Sequence, residues 1–201
     1  MAKIILDKLA HSYLPRPKSD ADFALKEIDH VWDDGGAYAL LGPSGCGKTT
    51  LSKMILRALA TSEGSVTYND RGKDLDVLSL KDKELFSYRE KVQFIFQDPF
   101  SSLNPRMTVF DIISEPLIIH KIGTREERVE TVKELMNLVG LDIRFLRRYP
   151  HSFSGGQRQR IGIARALALK PDLLVCDEPV SALDVSIQAQ ILNLLKDLQK
   201  E

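Results

Sequence analysis

Gly42-Pro43-Ser44-Gly45-Cys46-Gly47-Lys48-Thr49 is the stretch whose reading decides the fold. Its glycines, lysine and hydroxyl stand at the spacing of a phosphate loop. Glycines let successive backbone N–H groups converge on phosphate oxygens. A helix opening at Lys48 adds its positive N-terminal end. Lys48 can reach the outer phosphates, Thr49 can place its hydroxyl on Mg²⁺, and Thr50 follows in the same turn. The bland alternative is a chance match in a glycine turn. Context argues against it, because the apolar run AYALLG before the loop reads as a buried strand and Lys48 to Leu59 has helical spacing after it.

A phosphate loop needs a second carboxylate for the metal, at the end of a neighbouring buried strand. Leu173-Leu174-Val175-Cys176-Asp177 supplies one, and Glu178 follows at once. Adjacent strand residues point to opposite sides. Asp177 can therefore serve Mg²⁺ while Glu178 faces the γ-phosphate and its attacking water. Taken alone, the pair reads as two solvated acids capping a strand. Gln97 closes a second strand, VQFIFQ, where a neutral amide can bind Mg²⁺ and orient water, although an isolated glutamine there is more often a surface residue.

Outward from these sites the elements alternate. Ile4 to Leu9 and Ala24 to Trp32 read as strands, SVTYND as another, and DRG as a turn. Leu80 to Glu90 reads as a helix. From Thr108 to about Val139 the pattern is helical, with a Thr124–Glu127 capping box and Val129, Val132, Met136 and Val139 on one face. A further helix opens at Ser154 with a Ser154–Gln157 capping box, and Val185 to Gln199 is amphipathic. This order predicts an α/β fold with a parallel core and an inserted helical block.

Composition narrows the class. The 201 residues carry 28 Lys plus Arg and 28 Asp plus Glu, so net charge points to no nucleic-acid partner. The two cysteines do not make a disulfide framework, and reduced thiols are expected. No signal peptide is read at the N-terminus. No run approaches the roughly 18 apolar residues of a spanning helix, so membrane contact is expected only through a partner.

Ser154-Gly155-Gly156-Gln157, in SFSGGQRQRIGIARAL, resembles the signature motif of ATP-binding-cassette ATPases. Ser181-Ala182-Leu183-Asp184 resembles their D-loop, and the motif order matches along essentially the whole chain. The resemblance implies a P-loop, RecA-like core with an N-terminal antiparallel β subdomain. It implies one nucleotide-binding domain over 1–201: an ATP-binding part over 1–97, a helical signature part over 98–170, and the Asp177 strand with the D-loop helix over 171–201. It further implies an ATPase with ATP and Mg²⁺ as cofactors, acting as a head-to-tail dimer of cassettes. There Ser154, Gly155 and Gly156 bind the partner's nucleotide, and Tyr13 stacks on adenine. A transmembrane permease would dock on Asp98 to Met107, which places the chain on the cytoplasmic face of the membrane.

From Gln97 onward the sequence resembles oligopeptide and dipeptide importer ATPases; up to about Leu51 it resembles sugar or glycerol-phosphate importer ATPases. The expectation is a recombined chain with a seam between Leu51 and Val66. The family continues past the last helix into a core strand ending in a histidine, and His11, His30, His120 and His151 all precede the Asp177 strand. Loss of that strand would leave central sheet edges unpaired. An importer ATPase is the leading expectation, and a fragment that holds nucleotide with little hydrolysis is the alternative. Cassette proteins of DNA repair or the ribosome carry long coiled coils or paired cassettes, which this chain lacks.

Overall fold

The computed structural model describes residues 2–181 and 183–199. They fall into two compact units, 1–89 and 90–201.

In the first unit, β1 (Ala2–His11) is flanked by β2 (Leu25–Trp32) and β3 (Glu63–Asp70), and β4 (Lys73–Asp76) adds to β3. Every pairing is antiparallel. Alternation sets the buried face: Ile4 and Leu6 of β1 and Val66 and Tyr68 of β3 are buried and directly cross-paired. The predicted DRG turn closes the β3–β4 hairpin. β4 itself is too polar to announce a strand, and its ladder with β3 creates it.

Helix α1 (Lys48–Ile55) follows the glycine loop, and α2 (Asp82–Lys91) ends the unit. The sequence predicts α1 to run to Leu59, but it stops at Ile55. Arg57 turns left-handed at φ 55°, and the N–H groups of Arg57 and Ala58 donate to the Met54 and Lys53 carbonyls. These two bonds close the helix end. Tyr88 of α2 adds a third, its hydroxyl donating to the Ile55 carbonyl at 2.6 Å.

AYALLG is the clearest departure from expectation. Among the described residues, 37–41 form no strand, and neither sheet pairs with them. The apolar side chains consequently stand in solvent, with Leu41 92% exposed. Apolar composition makes a strand possible, but only a ladder partner makes one.

The second unit holds the parallel pair β5 (Val92–Ile95) and β6 (Leu173–Cys176). Between them in sequence come α3 (Val109–Ile119), α4 (Arg125–Leu138) and α5 (Gly155–Leu167), and α6 (Val185–Leu198) follows β6. Both capping boxes form, at Thr124–Glu127 and Ser154–Gln157. Val132, Met136 and Val139 are buried with Ile112 and Ile113 of α3 and Ile161, Ile163 and Ala164 of α5. Val129 is only half-buried. β6 was expected to be buried, yet Leu173, Leu174 and Val175 are half-buried; among the described residues its ladder partner is β5.

Candidate functional site

The phosphate loop has the backbone that such a loop requires. Gly45 and Gly47 sit at φ 81° and 95°, which favours glycine. At Gly47 the demand is steric as well, since a Cβ there would lie 2.7 Å from the Ala24 carbonyl oxygen. The Cys46 N–H closes the turn onto the Pro43 carbonyl at 3.3 Å. Lys48 folds back over the loop, its Nζ donating to the Gly42 and Pro43 carbonyls at 2.9 and 3.1 Å. Residues 42–46 are exposed, while Leu51, Met54 and Ile55 anchor α1. The loop is therefore solvent-accessible on a fixed helix.

Tyr13 is exposed, and its hydroxyl lies 3.2 Å from the Thr50 hydroxyl. The sequence thus brings its adenine candidate beside the first turn of α1. His11 packs edge-on against the Tyr13 ring, with centroids 4.7 Å apart.

In the second unit the parallel strands bring three predicted residues together. Asp177 leaves β6 with its N–H bonded to the Ile95 carbonyl at 3.1 Å, and its side chain is buried. Glu178 is exposed and left-handed at φ 45°; both acids lie past the end of β6, so the turn there, and not strand alternation, sets the exposed Glu178 beside the buried Asp177. Gln97, just past β5, donates from Nε2 to Glu178 Oε2 at 3.0 Å. Ser181 joins them: its Oγ lies 3.4 Å from Gln97 Nε2 and donates to the Glu178 carbonyl at 3.1 Å.

The signature turn is built as a helix start. Gln157 N–H donates to Ser154 Oγ, and Ser154 N–H donates to Gln157 Oε1. Gly155 and Gly156 are tightly fitted, because Cβ atoms there would lie 3.3 Å from Leu183 and 2.6 Å from Ile187. Asp184 caps α6 through its carbonyl, which accepts from the Ile187 and Gln188 N–H groups. Ala182 lies outside the described residues. Sequence reading missed Arg158 and Arg165, although they recur two helical turns apart in SFSGGQRQRIGIARAL, and it missed the His11 packing.

A glycine nest at a helix start, an acid pair closing a parallel strand and a capped diglycine turn define a nucleotide-binding cassette of the P-loop class. The family described as ABC transporter matches residues 25–181, and the chain belongs to that family. It is 54% identical over 181 residues to the oligopeptide transport ATP-binding protein OppF of Bacillus subtilis, covering 88% of this chain and 58% of that protein. It is 52% identical over 167 residues to the oligopeptide transport ATP-binding protein AppF of the same organism, covering 83% of this chain and 50% of that one. The chain thus spans about half the length of the curated relatives it matches.

Among solved structures, the dimeric post-hydrolysis state of the ATP-binding cassette MJ0796 bound to ADP and Pi is similar, at 32% identity and TM-score 0.83, over 98% of this chain and 83% of that one. The structure of cbiO1 from Clostridium perfringens, part of the ABC transporter complex cbiONQ, is also similar, with TM-score 0.80 and 28% identity over 98% of this chain and 73% of that one.

The expected recombination seam is not supported. A match covering 88% of the chain must cross residues 51–66, and one oligopeptide-transport relative runs through them at 54% identity overall.

Proposed function

We propose that the chain is the ATP-binding and ATP-hydrolysing part of a peptide-type importer, held on the cytoplasmic face of the membrane by a permease. The observation that carries this is the group at the ends of β5 and β6: a buried Asp177, an exposed Glu178 and the Gln97 amide on its carboxylate. No helix among the described residues is long and apolar enough to cross a membrane, so a permease would supply the crossing.

Gly42, Pro43, Ser44, Gly45, Cys46 and Gly47 present their backbone to the phosphates, and Lys48 exchanges its loop carbonyls for phosphate oxygens. Tyr13 takes the adenine ring. In this reading Mg²⁺ would take the hydroxyl of Thr49, the amide oxygen of Gln97 and the carboxylate of Asp177, all hard oxygens of the kind that ion prefers. Among the described residues no group of three or more His, Cys, Asp or Glu side chains could hold a metal by itself. That suits an ion which keeps waters and substrate phosphates as ligands. When bound, Mg²⁺ neutralises charge on the phosphates. Glu178 accepts the proton of the attacking water, and Gln97 orients that water. Ser154, Gly155, Gly156 and Gln157 engage the nucleotide of a second cassette in a head-to-tail dimer, with Ser181, Leu183 and Asp184 alongside.

A second reading is a module that binds nucleotide but turns it over slowly. The exposed, unladdered 37–41 segment favours it, because the loop lacks a strand behind it. Binding and hydrolysis of Mg·ATP by the chain, Lys48→Ala and Glu178→Gln separate the two. Binding lost in Lys48→Ala with turnover lost in Glu178→Gln supports the ATPase. Binding without turnover supports the module, and no binding overturns both.

A further inference from the structure

We propose that Arg158 and Arg165 are positioning residues that clamp the segment opened by Gln97 onto the helix opened by Ser154, so that amide and signature turn move as one piece. This rests on the ATPase reading above.

The segment is first folded on itself. Asp98 Oδ1 accepts the Phe100 N–H at 2.8 Å, Ser102 N–H donates to the Asp98 carbonyl at 3.2 Å, and Leu103 is buried. It is then tied to α5 at two places. The Arg158 guanidinium lies 4.4 Å over the Phe100 ring while its Nε donates to the Phe153 carbonyl at 3.0 Å. Two turns further along α5, Arg165 Nη1 donates to the Ser102 carbonyl at 2.9 Å, with its guanidinium 5.9 Å above the Phe96 ring. The Phe100 ring also covers the first glycine of the turn, where a Cβ on Gly155 would sit 3.5 Å from it.

The cost of Arg165 is what makes the clamp informative. Burial pushes its pKa down, opposed by the charge of Glu115. Filling the same volume with an apolar side chain is often as stable as a buried charge or better. The bond that such a residue could not make is the one to Ser102. Lysine would keep the charge but could not both donate to a carbonyl and lie flat over a ring.

The test uses the full chain with Arg165→Met, Arg165→Lys and Arg158→Met. Amide hydrogen exchange is followed over 98–103 and 125–138, together with the Kd of a fluorescent ATP analogue and kcat. In Arg165→Met the 98–103 amides should exchange faster while those of 125–138 do not change. Displacement of a catalytic group by a fraction of an ångström should lower kcat about tenfold, with Kd changed less than about twofold. Arg165→Lys should fall between wild type and Arg165→Met. Unchanged exchange over 98–103 in both methionine variants overturns the clamp, and so does an equal rise over 125–138, which would signify general loosening. A wild-type chain that binds no nucleotide overturns the functional reading instead, and the exchange measurement still decides the clamp.

Discussion

The Gln97 side-chain amide donates to the Glu178 carboxylate at 3.0 Å, although 81 residues separate them in sequence. The parallel register that pairs Ile95 with Cys176 places both just beyond the strand ends. In this arrangement the proposed base is held by the residue proposed to orient its water.

That coupling predicts non-additive kinetics. Gln97→Ala should lower kcat about tenfold, whereas Glu178→Gln should lower it by about 10²–10⁴, the usual range for a general base. Adding Gln97→Ala to Glu178→Gln should cost little more, since the two act as a unit. Steady-state hydrolysis of the three variants checks this, and fully additive losses would refute the shared role.

Tyr88 should matter to the far end of α1 and not to the phosphate loop at its start. Its buried hydroxyl donates to the Ile55 carbonyl, and burial pushes its pKa up, so it stays a neutral donor across the accessible range. Tyr88→Phe leaves that carbonyl without its phenol and should cost about 1–3 kcal/mol in urea unfolding. Nucleotide affinity should change little, because Leu51 and Met54 still seat α1.

Gly156 is fixed by packing rather than by backbone freedom. A Cβ there would lie 2.6 Å from Ile187 Cγ2, on a branched, half-buried side chain of α6. Gly156→Ala should destabilise by about 1–3 kcal/mol through overpacking. Ile187→Ala introduced alongside should recover part of that loss, giving a coupling of about 0.5–3 kcal/mol in a double-mutant cycle. Simple additivity would place the strain elsewhere.

Local chemistry determined much of this protein from sequence alone. The glycines of the loop, the capping boxes at Thr124 and Ser154 and the acid pair after LLVC each act within a few residues, so their consequences can be read without knowing what lies opposite. The end of α1 at Ile55 was not legible, because Arg57 gives no sign that it will turn left-handed. β4 was invisible for the complementary reason, since its polar residues become a strand only against β3. AYALLG shows the limit most sharply: its composition describes a buried strand, and without a ladder partner it is exposed. The Gln97–Glu178 bond and the two arginine contacts likewise waited on tertiary structure, because they join side chains distant in sequence. Propensity, caps and turns are properties of neighbouring residues; ladders, burial and long-range hydrogen bonds depend on which segment arrives alongside, and that is settled only when the chain folds.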